Sequence, residues 1–106
     1  MATEKERKLV EQLLDKTKKR ILSWEPTAAE DEFLATFGGH VSFTVLWRPS
    51  GVLLVMRDQH DRLLLTIDSQ ELEAVSALYA EANRQALNVE DALDDVLEQL
   101  TRLDRR

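Results

Sequence analysis

Between Glu32 and Asp68 one pattern repeats four times: an apolar-rich run of six or seven residues, then a short break of glycine, proline or aspartate. Short apolar runs bounded by turn residues mark strands, whose successive side chains point to opposite faces. Breaks this short leave no room for a crossover, so consecutive strands must pair antiparallel. The spacing predicts strands over Glu32–Phe37, Val41–Trp47, Val52–Arg57 and Arg62–Ile67. Such a meander needs covering helices, and the flanking segments have to supply them.

The breaks also set the register. A two-residue Gly-Gly loop would mix the faces of the first two strands. A three-residue loop, Gly38-Gly39-His40, brings Phe33, Phe37, Val41, Phe43 and Val45 to one side, and the buried pattern favours it. Arg48-Pro49-Ser50-Gly51 suits a type I turn. Pairing Trp47 with Val52, and Met56 with Leu63, then extends the core face through Trp47, Val52, Leu54, Met56, Leu63, Leu65 and Ile67. The opposite face reads Leu34, Thr36, Ser42, Thr44, Leu46, Leu53, Val55, Arg57, Arg62, Leu64 and Thr66. A solvated face is normally more polar than this. Leu46, Leu53, Val55 and Leu64 are therefore a candidate protein interface, unless a helix of the same chain lies over them.

Three helices are expected. The first runs from Glu4 to Trp24, opened by Thr3 with Glu6 as a capping box and stopped by Pro26. Its stripe is Val10, Leu14, Thr17, Ile21 and Trp24. Ser69–Leu87 follows the sheet, with Asp68 as cap and Leu72, Val75, Tyr79, Ala82 and Ala86 as stripe. Asn88 reads as a stop and the next cap. In Val89–Leu103, Val89, Leu93, Val96, Leu100 and Leu103 repeat at four, three, four and three, with Leu97 beside them. The fold class is α+β in a single domain, 1–106: an N-terminal helix, a four-stranded antiparallel meander and two C-terminal helices. Helices about 10 Å across on strands about 4.8 Å apart let two helices cover one sheet face. The third is expected to stack behind them or to cover the second face.

Composition narrows the chemistry. The 106 residues include no cysteine, which removes disulfides, thiolate zinc sites and cysteine nucleophiles. No apolar run approaches the ~20 residues that span a bilayer, and "MATEKERKLV" has no signal-peptide apolar region, so a cytoplasmic, non-membrane protein is expected. The net charge is −6, made of +3 over residues 1–24, −4 over 25–68 and −5 over 69–106. An acidic chain repels nucleic acid, so that partner is not expected.

No candidate site carries convincing chemistry. Arg57-Asp58-Gln59-His60-Asp61-Arg62 sets a histidine between carboxylates, but aspartate at the first turn position has a local backbone role. Residues on one loop tip do not converge as a metal's ligands must. His40 and His60 belong to loops at the same end of the meander, with nothing to orient them as a ligand pair. No serine lies in a nucleophile elbow, and "FGGH" lacks the lysine and helix of a phosphate loop. Asp94 and Asp95, with Glu90, Asp91 and Glu98, read as a solvated helix face. "KTKKR", Lys16 to Arg20, reads as the cationic end of a helix, without aromatics for base stacking. Trp24 and Trp47 read as core residues. Neither a catalytic residue nor a metal or other cofactor is expected.

The string "ILSWEPTAAEDEF", then a meander, then "LYAEANRQALNVEDALDDVLEQL", resembles a loosely defined group of small, acidic, uncharacterised bacterial proteins. The likeness covers most of the chain and implies no activity. The order of elements also resembles type III secretion chaperones, small acidic dimers, but departs from their strand–helix order. The expected function is a non-enzymatic protein–protein interaction or accessory module, working as a homodimer or in a hetero-complex. The alternatives are an acidic chaperone or antitoxin-like inhibitor of a basic partner, and a weak nucleic-acid binder using the first helix.

Overall fold

Turn geometry dictates the sheet in the computed structural model, which describes residues 3–104. Gly38 and Gly39 both take left-handed φ, 64° and 72°, so the three-residue loop closes with Phe37 opposite Val41, Ala35 opposite Phe43 and Phe33 opposite Val45. Two residues, Pro49 and Ser50, make the next turn, and Trp47 pairs with Val52. Both registers are those the buried pattern selects. Gly51 has φ 130°, and a Cβ there would meet the Ser69 hydroxyl at 2.7 Å, so glycine is required.

The elements are α1 (Glu4–Lys18), β1 (Glu25–Pro26), β2 (Glu32–Phe37), β3 (Val41–Arg48), β4 (Gly51–Asp58), β5 (Leu63–Asp68), α2 (Ala74–Ala86) and α3 (Val89–Asp104). The sheet is an antiparallel meander in the order β1-β2-β3-β4-β5, five strands instead of the expected four. The added strand is two residues long and pairs Glu25 with Leu34 and Pro26 with Phe33. A proline has no N–H for a ladder, and an edge is where that absence is tolerated.

Three expectations are corrected. First, α1 stops at Lys18, not Trp24. Arg20 turns left-handed (φ 61°), the Ile21 N–H donates to the Lys16 carbonyl and the Arg20 N–H to the Thr17 carbonyl. This is a Schellman ending with arginine where glycine is usual. Second, α2 begins at Ala74, not Ser69. Asp68 is spent on the preceding turn, where its carboxylate accepts from the Gln70 N–H and its carbonyl from the Leu72 N–H. Third, Met56 pairs with Leu65, not Leu63. The ladder shifts between Met56 and Arg57, which leaves Leu64 as the extra residue of a bulge. Leu63 then falls opposite Arg57, on the far face, and is 60% exposed.

One face of the sheet carries the core. Phe33, Ala35, Phe43, Val45, Leu54 and Ile67 meet Val10 and Leu13 of α1, Val75, Leu78 and Ala82 of α2, and the connector residues Leu22 and Trp24. The Phe33 and Tyr79 rings sit 5.6 Å apart and tilted. Phe37 and Trp47 share this face's parity but stand near strand ends, 64% and 51% exposed. Trp24 is buried as expected, although off the helix: its indole N–H donates to the Thr17 hydroxyl at 2.8 Å, which donates onward to the Leu13 carbonyl.

The third helix neither stacks behind the others nor covers the second face. It has no buried residue, and its main neighbour is α2. The described chain measures 57 × 28 × 25 Å with a radius of gyration of 16.2 Å, where a compact chain of this length would have about 13 Å. Among the described residues no helix is long and apolar enough to cross a membrane.

Candidate interaction surface

The largest open apolar surface is on α3. Leucine at 93, 97, 100 and 103 and valine at 89 and 96 share one stripe, because spacings of three and four return to one side of a helix. Leu93, Val96, Leu97, Leu100 and Leu103 are 46–62% exposed. Opposite them lie Asp91, Asp95 and Glu98, with Arg102 paired to Glu98 at 2.6 Å. Sixteen residues give a helix about 24 Å long. Its base is anchored locally: Arg84 of α2 pairs with Glu90, and Asn88, at φ 52°, gives its carbonyl to the Ala92 N–H. The polar hollow at this junction, about 240 Å³, is lined by Arg20, Ser23, Arg84, Gln85, Asn88, Glu90 and Asp91.

The sheet's second face is less open than its composition implies. Of Leu46, Leu53, Val55 and Leu64, Val55 is buried, Leu46 and Leu53 are half-buried and Leu64 alone is exposed. Val55 stands outside the core cluster and pairs with Thr44 and Thr66 on the neighbouring strands. Arg48 reaches Asp68 at 3.7 Å across the same face.

A second apolar feature had no signal in the pattern of apolar runs. Leu9 and Leu13 of α1, Ile21, Leu22, Phe37 and Phe43 line a cleft of about 290 Å³, joined by Gln12 and Lys16. It opens because α1 ends early and leaves Ile21 beside the β2–β3 turn. Gln85 is also unforeseen. Its carbonyl accepts the Trp24 N–H at 2.6 Å and its amide donates to the Leu22 carbonyl at 2.9 Å, which ties the connector to α2.

The candidate chemical residues take structural places. Asp58 accepts from the backbone N–H of His60 and Arg62 and from the Arg62 guanidinium at 2.8 Å, so "RDQHDR" is a side-chain-closed turn. Those bonds, the Arg62 N–H first, hold the Asp58 carboxyl below its usual range. His40 faces a shallow groove with Asp58, Gln59 and Asp61, and His60 is not among the lining residues. Among the described residues no three histidine or acidic side chains are grouped to hold a metal ion. Within "KTKKR", Lys16 and Lys19 both pair with Asp15, Lys19 at 3.1 Å, and Thr17 is buried. The Lys19 contact is the main cause that lowers the Asp15 carboxyl.

Comparison with protein-family models, curated proteins and solved structures gave no match for this chain.

Proposed function

We propose that the protein is a non-enzymatic protein–protein interaction or accessory module of the cytoplasm, needing no cofactor, and that its contact surface is the apolar stripe of α3. One observation carries this reading: a helix with six apolar residues on one side has none of them buried. Contiguous apolar surface above a few hundred Å² is rare on monomers, and the largest such patch is often functional. The sheet cluster expected to serve as interface, Leu46, Leu53, Val55 and Leu64, offers less open surface, so the principal contact belongs on α3. The acidic back of α3, with Asp91, Asp95 and Glu98, favours the second reading, an acidic chaperone or antitoxin-like inhibitor whose partner is basic.

A photo-reactive side chain separates use of the stripe from mere exposure. Both Glu98 and Leu100 are exposed but point to opposite sides of α3. Placed at 100, the group should couple the protein to one discrete chain in an extract of its source. At position 98 it should couple to none. Equal, diffuse labelling from the two positions would refute the reading.

A further inference from the structure

We infer that the stripe's occupant is the same stripe on a second copy of this chain, the two α3 helices pairing antiparallel about a two-fold axis between Val96 and Leu100. This rests on the reading that α3 is a contact surface. Three observations identify the occupant.

The first is the period. Val89, Leu93, Val96, Leu100 and Leu103 repeat every 3.5 residues on average. That is the narrow seam of two helices packing knobs into holes. Both positions flanking the seam on its other side, Ala92 and Gln99, are uncharged, so nothing there opposes close approach of a like helix. The second is area. Five large side chains half or more open to water amount to on the order of 500 Å² of apolar surface per helix, and two copies bring about 1,000 Å² together, the lower bound for a specific interface. A concentration-dependent dimer is the consequence, with a dissociation constant near micromolar or weaker.

The third is charge, and it sets the direction. Residues 89–96 carry Glu90, Asp91, Asp94 and Asp95 with no base, a charge of −4. Residues 97–104 carry Glu98 and Asp104 against Arg102, a charge of −1. A parallel pair would set −4 beside −4. The antiparallel pair sets −4 beside −1, which lessens the repulsion, and opposes the helix dipoles. It also carries the two sheet bodies to opposite ends of the seam. Run antiparallel, the seam matches itself when Val96 meets Leu100 of the copy and Leu93 meets Leu103, which puts the axis at position 98, close to Val96.

Because the chain has no cysteine, single-cysteine variants report the arrangement without interference. Sedimentation equilibrium of the intact protein from about 1 to 500 μM should show a monomer–dimer equilibrium. Leu100→Glu should weaken it at least 100-fold, while the fluorescence of a Trp47→Phe background, which reports buried Trp24 alone, stays unchanged and certifies the fold. Under mild oxidation Val96→Cys should cross-link to a covalent dimer and Leu103→Cys should not. A wild type that remains monomeric throughout overturns the second copy as occupant, and a discrete heterologous chain captured from position 100 would then leave the contact-surface reading standing. A dimer indifferent to Leu100→Glu overturns the proposal. Efficient cross-linking through Leu103→Cys overturns the antiparallel arrangement. Loss of the Trp24 signature in both Leu100→Glu and Leu97→Glu would show that the stripe belongs to the chain's own core, and would overturn both readings.

Discussion

Helices α1 and α3 look alike in sequence and end in opposite situations. Each carries apolar residues at spacings of three and four, and each has acidic residues in its first turn. Yet α1 buries Val10, Leu13 and Thr17, and α3 buries nothing. The difference lies in the connections and in the room available. After α1, Arg20 turns the chain back and six residues lead to β1 on the sheet edge, so α1 settles beside α2 over the core face. After α2, only Leu87 and Asn88 intervene before α3 starts, and the left-handed Asn88 sends it outward. The four long strands β2 to β5 make a ladder about 15–20 Å wide, which takes two helices of about 10 Å each. The third amphipathic helix is surplus to the core. Periodicity thus specifies that a helix has an apolar face, and not which chain supplies the partner.

Truncation should show the contrast most strongly. Leu78 in α2 is fully buried against the sheet. Leu78→Ala should cost about 2–5 kcal/mol, the range for a core leucine whose site does not collapse. The same change at Leu100, measured at concentrations low enough to keep the chain monomeric, should stay within about 0.5 kcal/mol. Chemical denaturation followed by tryptophan fluorescence measures both. Comparable losses at the two positions would abolish the distinction between body and extension.

The connector that secures α1 gives the next effect. Thr17 accepts from the Trp24 indole and donates to the Leu13 carbonyl, all in the buried interior. Thr17→Val keeps the shape and removes the acceptor, leaving a buried indole N–H without its partner, at about 1–3 kcal/mol. Trp24→Phe in the Thr17→Val background should recover part of that loss, because donor and acceptor are then both absent. No recovery would mean that the hydroxyl matters only to α1 itself.

These residues also show what was legible in the chain. Apolar runs and turn composition located β2 to β5, and the buried pattern chose both registers around β3, since a one-residue slip would have reversed every side chain. The core positions Phe33, Phe43, Val45, Leu54 and Ile67 follow from that alone. The bulge at Leu64 was not legible, because it arises where Asp58 pulls Arg62 into the turn. The end of α1 was hidden for a similar reason: arginine in a left-handed position carries no local signal, and the stripe ran on through Ile21 and Trp24. Trp24 was rightly read as core, but by way of a connector held by Gln85, a residue that no pattern singled out. For the candidate interface, Leu46, Leu53, Val55 and Leu64 follow from parity, whereas the openness of α3 depends on helix placement, which parity does not reach.

A smaller effect is expected on the second sheet face. Leu53 is half-buried, paired with Leu46 and Asp68, and has no helix over it. Leu53→Glu can extend its carboxylate to water, so the cost should be about 1 kcal/mol, the typical value for a single substitution. Dimerisation through α3 should be untouched. A monomeric but stable Leu53→Glu protein would move the contact from the helix to the sheet. A loss above about 3 kcal/mol would instead indicate an unpaired charge held in a covered site.

The smallest effect tests the hairpin tip, far from the seam in function if not in length. Asp58 closes the β4–β5 turn by accepting from two backbone N–H groups and one guanidinium, and its carboxyl is held below the ordinary value, mainly by the Arg62 N–H. These contacts favour the ionised form in the folded state. A carboxyl depressed by folding adds stability that is fully present above the ordinary aspartate value near 4 and fades as pH falls through the lowered one. Asp58→Asn cannot ionise and lacks the charge-assisted bond to Arg62. Wild type should therefore melt above the variant near neutral pH, and the two curves should converge below about pH 4. The shift should be less than that of Leu53→Glu, since the site is exposed and screened by water. The dimer constant should not change with the substitution, because α3 has no part in this turn. A gap that widens on acidification would mean that the turn is held by the neutral acid, and the hydrogen bonds assigned to the carboxylate would have to be redrawn.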